Sequence, residues 1–311
     1  MNQQLGSGEG AGGIIAAEGG QFMFGGEAEM RKPILNRKFA GLAVAACLIA
    51  GGSAASASPL YDQAVLDLDA IGYWKLDGNA DDSSGNGHHG VATDITWLSD
   101  GPADDAPGAA RGNGSTGVIH VSNDTALMPT GSMSVVAWVH KESSPVNWAQ
   151  IASVNDRGWN LRFNGHAGQS DYPAWYGRND AGDDQWVGDQ RSELDTLPHN
   201  EWAMLVGVYD LDDDRARLYV NGELAFDISA IGDPLASNQT VDMTIFAQYD
   251  GIDANTAELR RFFEGDISRL SLHGTALSDT DVANLYAAIP EPGTLSLLGI
   301  GGLLLLKRRR A

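Results

Sequence analysis

The sequence predicts an all-β fold of two packed antiparallel sheets, and three features carry that prediction. Short runs rich in Trp, Tyr, Val, Ile and Leu recur between clusters of Gly, Asn, Asp and Ser, the spacing of strands and turns. Residues 215–220 alternate, with Ala216, Leu218 and Val220 on one face. Asn221-Gly222 then supplies the pair favoured in a type I′ turn, and Leu224, Phe226 and Ile228 resume the apolar face. Residues 202–209 are apolar on both faces, as expected of a central strand covered on both sides.

In chain order, residues 1–29 are Gly-rich, lack Lys and Arg, and show no apolar periodicity. They read as disordered or as an extension ahead of the true start at Met30. Residues 30–57 read as a secretory signal peptide. Arg31, Lys32, Arg37 and Lys38 form a basic region, residues 39–50 an apolar one, and Ala55-Ser56-Ala57 a small-residue cleavage pattern with the cut between Ala57 and Ser58. Val44-Ala-Ala-Cys47 also resembles a lipoprotein box, but Leu48 and Ile49 continue the apolar run past the cysteine. With the signal removed the single cysteine leaves too, so the remaining domain needs a hydrophobic core without a disulfide.

That domain is 58–288. Its candidate strands are residues 72–76, 118–121, 133–140, 150–154, 159–163, 202–209, 215–220, 224–228, 243–247 and 267–272. Only 278–287 reads as a helix, with Ser278 as its cap and Asp281 three residues on as an acidic form of the capping box. Residues 58–289 hold 12 Lys and Arg against 36 Asp and Glu, a net charge of −24. A surface so acidic repels nucleic acid and anionic lipid, which excludes both as partners of the domain. Asp210-x-Asp212-x-Asp214 begins like an EF-hand loop, but Arg215 and Asn221 stand where Gly and Glu are needed, so a hairpin turn explains it better.

Residues 289–311 follow a different logic. Pro290-Glu291-Pro292 blocks regular structure, an apolar run continues to Leu306, and Lys307, Arg308, Arg309 and Arg310 close the chain. Cations in that place resist translocation. The run is about 14 residues, shorter than the roughly 20 needed to cross a bilayer. The tail resembles the PEP-CTERM sorting signal, which implies a short membrane helix, transient anchoring, and recognition by an exosortase-type enzyme near Pro290, Glu291 and Pro292. A simple anchor helix is the alternative.

A second resemblance covers most of the domain. Tyr73-Trp74-Lys-Leu-Asp77-Gly with Asp82-Ser-Ser-Gly-Asn-Gly-His-His-Gly90, Ser134-Val-Val-Ala-Trp138-Val, Glu201-Trp202 through Asp210, Leu218-Tyr-Val-Asn-Gly222 and Glu264-Gly-Asp-Ile267 resemble laminin-G-like, concanavalin A-like domains. The resemblance implies a jelly-roll β-sandwich. It also implies one structural calcium, held by Asp82, Asn86 and the carbonyl of Gly87 with an acid from the last strand. Ser268 occupies the usual aspartate position, which leaves Asp266 as the substitute. Without the metal, the same residues form an Asx- and Gly-built turn.

Glycoside hydrolases share the fold class, but Glu193-Leu194-Asp195 lacks the second glutamate of their strand-borne acid pattern, so catalysis is not expected. Ligand contact is expected from the aromatic segment 166–191, above all from Trp175, Tyr176, Arg178 and Trp186. Flat rings stack on pyranoses and neighbouring polar groups bind hydroxyls. The expected function is a secreted, envelope-sorted protein that binds extracellular polysaccharide. The competing expectation is a structural or adhesive module for cell-surface proteins, and a concanavalin A-like glycosidase comes third.

Overall fold

The computed structural model describes residues 60–289 apart from 104–105, 156–157, 166–169, 179–183, 188–195, 230, 232–234, 236–239 and 252. The first half comprises α1 (Leu60–Leu66), β1 (Ala70–Trp74), β2 (Gly90–Thr93), β3 (Thr96–Leu98), β4 (Ala109–Asn113), β5 (Val118–Val121), β6 (Met133–His140), β7 (Gln150–Ser153) and β8 (Trp159–Phe163). There follow β9 (Pro173–Arg178), β10 (Asp184–Val187), β11 (Trp202–Asp210), β12 (Arg215–Val220), β13 (Glu223–Ser229), β14 (Met243–Ile245), β15 (Gln248–Asp250), β16 (Glu258–Arg260), β17 (Glu264–His273) and α2 (Asp279–Ala287). The predicted signal peptide, its Ala57/Ser58 cleavage site, and the tail with Pro290, Glu291, Pro292, Arg308, Arg309 and Arg310 lie outside the described residues. Among the described residues no helix is long and apolar enough to cross a membrane.

The strands form the expected antiparallel sandwich. The first sheet runs β13-β12-β11-β6-β17-β4-β3, with β1 also paired to β17. The second runs β10-β9-β8-β7-β14-β5-β2, and β15 pairs with β16 in a small hairpin. Side-chain alternation sorts the apolar residues into two layers. On β6, Val135, Ala137 and Val139 point between the sheets, where they meet Leu161, Phe163, Trp175 and Ile245 of the second sheet. Val136 and Trp138 point outward into a second cluster, with Tyr61 and Val65 of α1 and Val282 and Leu285 of α2. The first sheet is thus covered on both faces, which is why β11 is apolar on both. Leu205 and Tyr209 enter the inter-sheet core, while Met204, Val206 and Val208 lie under the helices. Each such large side chain contributes about 1.5–3 kcal/mol by leaving water.

Local signals hold where a side chain imposes them. Asn221 and Gly222 both have positive φ, 52° and 81°, as a type I′ turn requires. Ser278 and Asp281 make both hydrogen bonds of the capping box on α2. Several strand ends and one strand face differ from expectation. Leu76 (φ 61°) and Phe246 (φ 73°) turn the chain into the left-handed region, so the strands stop at Trp74 and Ile245. A bulge between Leu218 and Tyr219 shifts the β12–β13 register and leaves Leu224 48% exposed instead of on the apolar face.

Candidate functional site

The first loop is built by its own hydrogen bonds. Asp82 Oδ1 accepts from the N–H of Tyr73 (2.9 Å) and of Ser84 (2.8 Å), and Oδ2 accepts from Ser84 Oγ and from the N–H of His88 (both 2.9 Å). Burial alone would push this carboxyl up, but these donors outweigh it and hold it below the usual carboxylate range. Asn86 turns its amide N–H groups to the carbonyls of Ala70 and Ile71, and Gly87 takes φ 84°. Asp266 is engaged elsewhere, 2.5 Å from Arg111 Nε and 3.0 Å from His140 Nδ1 on the neighbouring strands. Ser268 Oγ donates to the Gly108 carbonyl. In this arrangement the oxygens of Asp82 face N–H and O–H donors, and Asp266 faces Arg111 and His140. Among the described residues no three His, Cys, Asp or Glu side chains cluster as metal ligands would.

Asp82→Ala is expected to cost about 3 kcal/mol in denaturant titration, because it strands several loop N–H groups at once. The depressed pKa also sets a sign. The contribution of Asp82 is fully present above its unfolded value near about 4 and is lost as pH falls through the lower folded value. Wild type should accordingly lose stability below about pH 4, and the variant should lose less over that range.

The aromatic segment divides between two environments. It forms β9 and β10, and alternation along β9 sends successive residues to opposite faces. Trp175 is 1% exposed, lies 6.3 Å from Trp159 between ring centroids, and belongs to the inter-sheet core. Its selection as a ligand contact is corrected: a ring enclosed in the core offers no face to a sugar. Tyr176 turns the other way and is 3% exposed, with the Arg162 guanidinium 4.3 Å and the Arg178 guanidinium 5.9 Å from its ring centroid. Trp186 pairs with Tyr176 across β9–β10. Glu193 and Asp195 lie outside the described residues.

Tyr176 leads to a polar layer that sequence reasoning missed, on the outer face of the second sheet. The signal was present in β8, where Asn160 and Arg162 alternate with core residues Trp159, Leu161 and Phe163. Three carboxamides form a chain there. Gln150 Nε2 donates to Gln248 Oε1 (3.2 Å), and Gln248 Nε2 donates to Asn160 Oδ1 (2.8 Å). All three are at most 1% exposed. Gln150 Oε1, at one end, and Asn160 Nδ2, at the other, are buried without a hydrogen-bond partner. Arg261 Nη1 donates to Gln248 Oε1 (2.7 Å), and its guanidinium lies 5.1 Å from the ring centroid of Trp148, which is 36% exposed. The Trp148 indole lies directly on Gly165, where an added Cβ would come within 1.7 Å of it. The amide chain is thus enclosed, and what this layer presents outward at its edge is the Trp148 indole with the Arg261 guanidinium beside it.

The sequence profile described as the concanavalin A-like lectin/glucanases superfamily matches residues 113–283, and that of the PEP-CTERM protein-sorting motif matches residues 288–311. No curated protein sequence matches the chain. Among solved structures, the chain is similar to domain 4 of AbnA, a GH43 extracellular arabinanase from Geobacillus stearothermophilus, solved in complex with arabinotriose. The TM-score is 0.53 at 18% identity, over 70% of this chain and 98% of that one. It is similar to the binding domain of Paraclostridial Mosquitocidal Protein 1 (TM-score 0.55, 15% identity, 73% of this chain and 52% of that one). The binding domain of botulinum neurotoxin serotype D/C VPI 5993 is a third (0.52, 16%, 73% and 53%). The chain spans about half of the two toxin binding domains, and at these identities the likeness is one of fold.

Proposed function

The chain belongs to the concanavalin A-like lectin/glucanases superfamily, and from that membership we propose that it binds extracellular polysaccharide through the outer face of its second sheet. One observation carries the reading: the exposed edge of this layer sets the Trp148 indole, 36% exposed, beside the Arg261 guanidinium, 5.1 Å from its ring centroid, and the buried amide of Gln248 holds that guanidinium in place. Sugars present hydroxyls in rows beside apolar ring faces; the indole suits such a face, and the guanidinium N–H groups donate to hydroxyls. The arabinotriose complex of the arabinanase domain supports the same ligand class.

The PEP-CTERM motif supports export, handling by an exosortase-type enzyme, and placement in the cell envelope or its surrounding matrix. Adhesion through an apolar patch has less support, because among the described residues the exposed large apolar side chains are dispersed: Leu60 on α1, Val91 on β2, Leu224 on β13, and Val146 with Trp148 between β6 and β7. A retaining glycosidase needs two carboxylates about 5–5.5 Å apart. The described site presents amides and a guanidinium rather than a carboxylate pair.

The test is retention of the purified full chain on immobilised polysaccharides, with and without EDTA. Retention is expected and should be indifferent to EDTA, because the oxygens of Asp82 are met by protein donors. Trp148→Ala should weaken it roughly tenfold, about 1.4 kcal/mol, with little change in melting temperature. Folded protein that no polysaccharide retains would overturn the proposal.

A further inference from the structure

Resting on that reading, we infer that the site selects acidic polysaccharides, with Arg261 and Trp148 forming a subsite for the carboxylate of a uronic acid residue. The observation is a cation that has no carboxylate partner among the described residues, in a domain where carboxylates outnumber cations threefold, 36 to 12 over residues 58–289. Five other guanidinium groups lie beside acids. Arg111 sits on Asp266 and Glu142, Arg215 on Asp227, Arg217 on Asp210 and Asp213, and Arg260 on Asp250 and Glu258; Arg269 lies 3.7 Å from Asp62. Among the described residues Arg261 has no such partner. It gives one N–H to a neutral amide oxygen, Gln248 Oε1, and spreads over an indole. A guanidinium has five N–H donors in a planar fork, so most of this one's hydrogen-bonding capacity is not spent on Gln248.

The surroundings fix that fork. The amide of Gln248 is held from behind by Gln150 and Asn160, and the Arg261 carbonyl accepts from the Gln150 N–H at 2.9 Å, which ties its backbone to β7. Arg261 and Trp148 both adopt left-handed backbone, with φ 58° and 59°. Non-glycine residues pay roughly 1 kcal/mol or more for that conformation. The fork matches a carboxylate bidentately, a pairing that a neutral hydroxyl cannot make. The indole beside it matches the apolar face of the ring that bears the carboxylate. The strongly acidic remainder of the domain repels polyanions that do not find this site, which makes the local cation a selective element.

The experiment measures equilibrium binding of the full chain to three soluble polymers: polygalacturonate, the same polymer with its carboxyl groups reduced to alcohols, and dextran sulfate. Polygalacturonate should bind at least tenfold more tightly than its reduced form, and more tightly than dextran sulfate. Arg261→Gln should bring the ratio of the two affinities down to about one; Arg261→Lys should restore part of the preference. Equal binding of native and reduced polymer, or an unchanged preference in Arg261→Gln, would overturn the inference and leave the polysaccharide reading standing. Tighter binding of dextran sulfate would overturn the carboxylate assignment. Binding to none of the three would count against the polysaccharide reading itself. Reduction of the polymer leaves the protein untouched, so the comparison holds even where a variant folds poorly.

Discussion

Replacing Asp62 with alanine should destabilise the folded domain by about 3–5 kcal/mol, the cost typical of removing one partner from a buried charged cluster. Asp62 sits on α1 at 2% exposure and accepts a hydrogen bond from the Tyr73 hydroxyl. Lys75 Nζ lies 3.1 Å from its Oδ2, and Arg269 Nε lies 3.7 Å from its Oδ1. Burial pushes the Tyr73 phenol far above its ordinary range, so it remains the donor. Arg269 is 1% exposed and turns inward at a bulge in β17, where φ is 49° and its Nη1 reaches the Pro107 carbonyl at 2.7 Å. Without Asp62 that guanidinium stays buried with carbonyl partners and no counter-charge. The cluster ties α1 to β1 and β17, so the domain depends on a segment well ahead of residue 113, where the family match begins. Urea titration of Asp62→Ala and Asp62→Asn checks this, and a loss below about 1 kcal/mol in both would show that the cluster is incidental to stability.

What the sequence revealed follows from how local each determinant is. The β6, β8 and β11 strands were legible because alternation and apolarity are written within a few consecutive residues. The Asn221-Gly222 turn and the Ser278/Asp281 cap were legible because each is one side chain acting on its own backbone. The α1 helix was missed because seven residues give under two turns of periodicity. The β9 and β10 strands were missed because their aromatic residues read as a binding loop, and only the register shows Trp175 facing inward and Tyr176 outward. The amide chain was out of reach for a stronger reason. Gln150 and Gln248 are 98 positions apart, and nothing short of the strand order brings them together. The first loop was legible as a turn. Its calcium came with the resemblance, and the hydrogen bonds around Asp82 answer the same charge without one.

Trp175 gives the sharpest test of that division between core and surface. Trp175→Ala should cost about 3–5 kcal/mol, the range for emptying a large aromatic from a packed core. Any loss of polysaccharide binding in this variant should track the unfolded fraction, unlike Trp148→Ala, which should lose binding while folded. The neighbour of Trp175 makes the argument independent of binding. Its indole lies across Gly207 of β11, where an added Cβ would come within 2.4 Å of the ring. Gly207→Ala should therefore cost about 1–3 kcal/mol by overpacking. In the Trp175→Ala background the same change enters an emptied space and should cost close to nothing, or recover a little. The double-mutant cycle then shows a coupling of at least about 1 kcal/mol between the two sites. Additive effects would mean that the Trp175 ring does not rest on Gly207, and the residue would return to the candidates for ligand contact.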